Sequence, residues 1–181
     1  MMSPEFRKFR RVTPEDTKSM IMLERLAQSF VACLRSGDSA DSALDDYLEA
    51  TNSRAVGLWR LVDDELHVIG FRGHATMPVD VVDGFAAATQ VVNLQQTGLG
   101  IVKAAVSQQP TVALLAISGG TLPGSASWLE RFAAVQSLAV PIIRGGRVRG
   151  VLALSTAYSF GPDHAAWLMT VRLAERLTTL I

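Results

Sequence analysis

The chain has 181 residues, of which 49% are hydrophobic and 19% are charged. This length fits one domain of ordinary size, and the apolar fraction is too high for a chain that stays largely disordered. Basic and acidic residues number 17 each, so the overall charge does not favour a nucleic-acid partner. The one cysteine, Cys33, excludes a disulfide framework within one chain, and we expect a reducing, cytoplasmic location.

The start of the chain carries a basic cluster, Arg7-Arg11, with four cationic residues. No apolar segment of a secretory signal follows it, and no apolar run reaches the roughly 20 residues that cross a bilayer. We predict a mobile basic tail over residues 1–13 and a single domain over residues 14–181. Because such a cluster binds anionic surfaces only weakly, we expect neither nucleic acid nor a membrane as the main partner.

Helical patterns come first along the chain. Thr13 and Pro14 fit the N-cap and the first position of a helix, and apolar residues then repeat at helical spacing as far as Leu34. Gly37 lies in a polar segment that ends this helix. A shorter helix is predicted around Leu44.

The period then changes to that of strands. Residues 55–62 and 66–71 are apolar and partly β-branched, and the acidic residues between them form a polar turn, so they predict a hairpin. The segment beyond residue 71 is less regular. It allows a helix that starts near Pro78.

The middle of the chain alternates between helix and strand patterns. Residues 101–106 predict a short helix, and residues 111–117 predict a buried strand. Ser127 and Glu130 have the spacing of a capping box, which predicts a helix that begins there and contains Phe132.

A second hairpin gives the strongest local signal. Residues 138–144 and 147–155 are strand-like, and Gly145-Gly146 between them is typical of a tight turn. Pro162 is expected to open the last helix. Hairpins imply a mainly antiparallel sheet, and helices at both ends and in the middle must cover its faces. We therefore predict an α+β fold.

Three stretches resemble a GAF domain, and the resemblance extends over residues 17–181. Ala55-Val56-Gly57-Leu58-Trp59 is similar to the first sheet strand of that family, Gly98-Leu99-Gly100-Ile101 to its glycine-bearing segment, and residues 137–142 with 150–154 to its final hairpin. The resemblance implies a GAF/PAS-like fold, with both terminal helices on one face of the sheet and a ligand-type pocket on the other. It also implies a sensory or regulatory module in signal transduction.

Strand alternation assigns side chains to the two faces of the sheet. Leu138, Val140, Leu152 and Leu154 share a bulky face, which we expect against the terminal helices. The opposite face carries small residues, where we expect a ligand pocket. The predicted ligand-binding residues are Ala55, Gly57, Trp59, Ile117, Trp128, Phe132, Ser137, Ala139, Ala153 and Ser155. The same pattern also fits close packing of large helix residues on small sheet residues, without a cavity.

The catalytic branch that the chain resembles is that of the free methionine-(R)-sulfoxide reductases, whose chemistry needs cysteine thiolates. Val102 stands where that branch carries a cysteine, and Ala153 and Ser155 stand where it carries acidic residues. Cys33 lies in the first helix, where we expect it to pack against apolar neighbours. We predict no catalytic residues and predict that the chain is not an enzyme.

His67, His74 and His164 are the candidate ligands for a metal or a haem. One histidine can hold a haem iron, but nothing groups the three at the short spacing of a metal motif. We predict no metal site, and the identity of any cofactor stays unknown at this stage.

Two functions fit these observations. The first is a sensor that binds an unidentified small molecule and acts, through its terminal helices, on a separate signalling protein. The second is a ligand-free homodimerisation or adaptor module, because the apolar residues of both terminal helices exceed what one sheet face requires. In either case we expect a homodimer through the terminal helices.

Overall fold

The computed structural model describes residues 14–115 and 122–181. These residues build an α+β fold around one antiparallel sheet, as predicted, with strand order β3-β2-β1-β6-β5-β4. The strands are β1 (Ala55–Val62), β2 (Glu65–Gly73), β3 (Val91–Asn93), β4 (Thr111–Leu114), β5 (Gln136–Arg144) and β6 (Arg147–Thr156).

Helices cover both faces of this sheet. The core contacts place α1, α2 and α6 on one face and α3, α4 and α5 on the other. The helices are α1 (Pro14–Ser36), α2 (Asp41–Thr51), α3 (Val79–Ala88), α4 (Gly100–Ser107), α5 (Pro123–Arg131) and α6 (Ala165–Leu180). No helix in residues 14–115 or 122–181 is long and apolar enough to cross a membrane.

The first face holds the larger apolar core, which confirms the predicted bulky side of the final hairpin. Leu138, Val140, Leu152 and Leu154 are all buried there against the terminal helices. The helices contribute buried residues at helical spacing, including Phe30, Leu173 and Leu177. Alternation along the strands thus sends every second side chain into this core and leaves the others for the opposite face.

Both predicted hairpins form. In the second, Gly145 and Gly146 have φ angles of +59° and +73°, the left-handed values that a tight two-residue turn requires at both positions. In the first, Asp63 has a φ of +51°, which aspartate tolerates better than most residues. Turn chemistry fixes the pairing next to each turn, and a shift in register at Leu58/Trp59 in the first hairpin and at Ile142/Ile143 in the second sets the pairing beyond it.

The strand predicted over residues 111–117 forms over its first four residues, but the prediction that it is buried is wrong. Strand β4 ends at Leu114, and its burial alternates, with Thr111 and Ala113 buried but Leu114 55% exposed. The reason is the position of β4 at the end of the strand order, where one side of the strand lacks a full helix layer. Residues 116 and 117 lie outside the described part of the chain.

Two helices start elsewhere than predicted. Helix α5 begins at Pro123, because proline fixes a helical φ at the first position, so Ser127 lies inside it rather than at its cap. Helix α6 begins at Ala165, and the His164 ring accepts a hydrogen bond from the backbone N–H of Ala166 at 3.2 Å. The short strand β3 has no counterpart among the predicted elements.

An ion pair joins the two terminal helices. Arg176 donates from Nε and Nη2 to the two carboxylate oxygens of Glu24, at 2.8 and 3.0 Å. These hydrogen bonds lower the pKa of Glu24 from its ordinary value of 4.5 to about 2. The pair is exposed to solvent, so the stabilisation that it contributes should depend on pH and on salt concentration.

This pair gives the protein an acid-sensitive stability. Because the pKa of Glu24 is lower in the folded state, the stabilisation is fully present above pH 4.5 and is lost as the pH falls towards 2. We expect the denaturation midpoint of the wild type to fall more than that of Glu24→Gln between pH 5 and pH 2. Glu175→Gln, which removes an exposed carboxylate next to Arg176 on α6, is the control. Parallel curves for Glu24→Gln and wild type would contradict this assignment.

Candidate functional site

A cavity of about 50 Å³ lies between the sheet and helices α3, α4 and α5. We call it the sheet cavity. Nine of the ten predicted ligand-binding residues line it, and the tenth, Ile117, lies outside the described residues. The structure places these nine residues around one space, whereas ligand binding by them stays a prediction.

The floor of the sheet cavity consists of small side chains on three neighbouring strands. Strand pairing places them side by side in two rows across β1, β6 and β5. The first row is Ala55, Ser155 and Ser137, and the second is Gly57, Ala153 and Ala139. Adjacent strands lie about 4.8 Å apart, so a row of such residues leaves a shallow trough across the sheet. Period-two alternation in β1, β5 and β6 was enough to predict this trough.

Trp59 closes one end of the trough and is 1% exposed. Its ring lies over Gly57, where a Cβ atom would come within 2.3 Å of Cη2 of the indole. The indole Nε1 donates to the carbonyl of Thr89 at 3.2 Å, which joins the strand to the end of α3. Trp59 is therefore a fixed wall, and Gly57 makes room for it.

Phe85 on α3 forms the centre of the opposite wall. Its ring centroid lies 4.4 Å from that of Phe71, 4.9 Å from Trp128 and 5.1 Å from Phe132. Sequence reasoning missed both Phe85 and Phe71 as lining residues. Phe71 has the strand alternation that could have revealed it, whereas the position of Phe85 depends on how α3 crosses the sheet.

Two hydroxyl groups face the sheet cavity without a partner. Ser137 and Ser155 are directly opposite on β5 and β6, and neither side chain has a hydrogen bond to any other residue of the described chain. Ser155 is only 7% exposed. A third lining hydroxyl, that of Ser125, already accepts from the backbone N–H of Gly100 at 2.8 Å. The free hydroxyls are thus the polar groups left for a bound molecule.

Two guanidinium groups contact residues of the cavity walls from outside the lining. Arg54 donates from Nε to the carbonyl of Phe132 at 3.0 Å, and the Arg131 guanidinium carbon lies 4.5 Å from the centroid of the Trp128 ring. Arg54 links the end of α5 to the start of β1, whereas Arg131 belongs to α5 itself. Neither is among the lining residues.

The remaining candidate residues have structural partners. His67 lies 3.6 Å from Glu65, and His74 Nδ1 lies 3.3 Å from a guanidinium nitrogen of Arg54. Cys33 is half-buried, its Sγ donates to the carbonyl of Ser39 at 3.4 Å, and burial raises the pKa of the thiol. In the described part of the chain, no three His, Cys, Asp or Glu residues are grouped to hold a metal ion.

The family model of the GAF domain matches residues 38–179. Because this match covers most of the chain, the chain belongs to the GAF family. Members of this family are regulatory and sensory modules of signalling proteins. A search of curated proteins found no match.

Solved structures with this fold share little sequence with the chain. The GAF domain of an Acinetobacter phosphoenolpyruvate-protein phosphotransferase is 18% identical, with a TM-score of 0.55 over 90% of this chain and 92% of that one. A methyl-accepting chemotaxis protein fragment is 14% identical, with a TM-score of 0.58 and coverages of 90% and 98%. These comparisons establish the fold.

The prediction that the chain is not an enzyme is wrong, because it does not follow from the residues on which it was based. The free methionine-R-sulfoxide reductase of Neisseria meningitidis, solved with its substrate, is 16% identical, with a TM-score of 0.59 over 94% of this chain and 92% of that one. The prediction took the valine at position 102 as evidence against the chemistry of these reductases, but one fold hosts many sites, so this evidence does not extend to other reactions. Membership of the family establishes neither catalysis nor its absence.

The contact between Trp59 and Gly57 predicts a sharp difference between two glycine substitutions. Gly57→Ala should destabilise the protein by about 1–3 kcal/mol, because the added methyl group displaces a buried ring that is also held by Thr89. Gly84→Ala in α3 has room, with its nearest atom at 3.9 Å, and should stabilise by about 0.5–1 kcal/mol. Chemical denaturation measures both. Equal effects would refute the packing of Trp59 over Gly57.

Proposed function

We propose that this GAF domain is a cytoplasmic regulatory module that binds a small molecule in the sheet cavity. It then acts on a separate signalling protein. The observation that carries the proposal is the sheet cavity itself, with small residues below, aromatic rings around it and two free hydroxyls inside. An apolar space with a few placed polar groups is the usual form of a ligand site.

The strands that form the floor also reach the terminal helices. Ser155 contacts the sheet cavity, while the preceding residue, Leu154, is buried in the core with Leu173 and Leu177 of α6. A ligand that shifts β6 therefore shifts residues on both faces, because a packed core transmits strain. This coupling supports an output through α1 and α6.

Filling the sheet cavity should abolish binding. Ala153→Val adds two methyl groups to a lining residue on β6, where a β-branched side chain is favourable. We expect native mass spectrometry to show a bound mass on gently purified wild-type protein and none on this variant. Ala157→Val, the same change at an exposed position, should keep the bound mass. A wild-type chain without ligand in a broad metabolite screen would count against the proposal.

Dimerisation or an adaptor role is the second candidate function, favoured by two exposed apolar side chains on α1. Met20 and Ile21 are 66% and 65% exposed, on a helix that already packs against α6. Removing such surface from water would stabilise a second copy packed there. This function is compatible with ligand binding.

Sedimentation equilibrium tests the second candidate. We expect a dimer at high micromolar concentration that Ile21→Glu weakens at least tenfold, because a charge would be buried in an apolar contact. Lys18→Glu, a charge change at an exposed neighbouring position on α1, should have a smaller effect. A strict monomer at that concentration would exclude the homodimer.

A further inference from the structure

Among residues 14–115 and 122–181, no side chain that ionises near neutral pH lines the sheet cavity. Its described members are alanine, glycine, serine, valine, leucine, isoleucine, phenylalanine and tryptophan. Arg54 and Arg131 are engaged with the carbonyl of Phe132 and the ring of Trp128, outside the lining. The walls therefore present apolar surface and aromatic faces.

Such a lining selects against a charged ligand. A carboxylate or phosphate would lose its hydration and gain no cation in return, which is the costliest form of burial. An ammonium group would meet aromatic faces, whose attraction for a cation is real but modest, and no carboxylate. Burial of an uncharged apolar group has no such cost.

The two free hydroxyls add a second requirement. A ligand that covers these hydroxyls removes their access to water, so it must offer them a hydrogen-bond partner or leave a costly unpaired polar group. Ser137 and Ser155 lie side by side on the floor, so one polar group placed between them can accept from one and donate to the other. The rest of the molecule would then contact Trp59, Phe85 and Trp128.

From these observations we infer that the sheet cavity takes an uncharged, mainly apolar molecule whose single polar end is held by Ser137 and Ser155. This inference rests on the proposed function and names the chemical class of its ligand. With about 50 Å³ of free space, the cavity admits a ring-sized molecule only when a wall moves. Trp128 is the half-buried wall, on α5.

Four probes of nearly equal size test the inference. Benzyl alcohol is neutral with a polar end, toluene is neutral without one, and benzoate and benzylammonium carry opposite charges at pH 7. The indole N–H signals of Trp59 and Trp128 should shift in NMR titrations with benzyl alcohol and, more weakly, with toluene. Trp167, which packs in the other core, is the internal control. The two charged probes should bind at least tenfold more weakly than benzyl alcohol.

Variants of the cavity floor separate the contribution of the ligand's polar end to binding from that of the apolar walls. Ser155→Ala should weaken the binding of benzyl alcohol about fivefold, which is the usual contribution of one hydrogen bond. It should leave the affinity for toluene unchanged. Ser42→Ala, on the exposed side of α2, is the matched control. Because Ser155→Ala removes only one oxygen atom, it should fold, and its circular dichroism and denaturation midpoint check this.

Each outcome decides one point. Equal shifts of Trp59 and Trp128 with benzoate or benzylammonium overturn the inference and leave the proposed function standing. Equal binding of toluene and benzyl alcohol, or no effect of Ser155→Ala, overturns the role of the hydroxyls. Shifts with none of the four probes at millimolar concentration contradict the small-molecule site itself and the inference with it.

Discussion

The packing of Trp59 over Gly57 determines how much room the sheet leaves on the face that α3, α4 and α5 cover. The indole occupies the position that a side chain at residue 57 would otherwise take, and its hydrogen bond to Thr89 keeps it there. The adjacent positions on β5 and β6 carry only alanine and serine. The cavity thus exists because Trp59 is fixed at one end and only small residues lie beside it on the floor. The aromatic side chains of α3 and α5 do not reach down to these small residues.

Local patterns predicted the parts of this arrangement that depend on local geometry. Alternation in β1, β5 and β6 assigned Ala153 to one face and Leu154 to the other, because successive strand residues always point in opposite directions. The glycine pair at 145 and 146 predicted the turn of the final hairpin in the same way, but not the shift in register at Ile142/Ile143. The resemblance to GAF domains supplied the arrangement of layers, which no single motif contains.

The errors concern features that only the assembled sheet decides. Strand β4 is apolar like a buried strand, yet Val112 and Leu114 are exposed because the strand lies at the sheet edge. Phe85 is a lining residue because α3 crosses β2, and a weak helical pattern cannot give that crossing. Ser127 has the spacing of a cap, but Pro123 starts the helix four residues earlier. In each case tertiary context overrides the local signal.

The fold alone does not decide between binding and catalysis, since similar structures include a reductase as well as a chemotaxis protein fragment. In this chain the described lining residues are uncharged, and two of their hydroxyls have no partner in the described part of the chain. The same strands carry these hydroxyls on one face and the core of the terminal helices on the other. If the proposed function is correct, a molecule held by Ser137 and Ser155 contacts the same strands that pack against α6, and no separate relay between site and helices is needed.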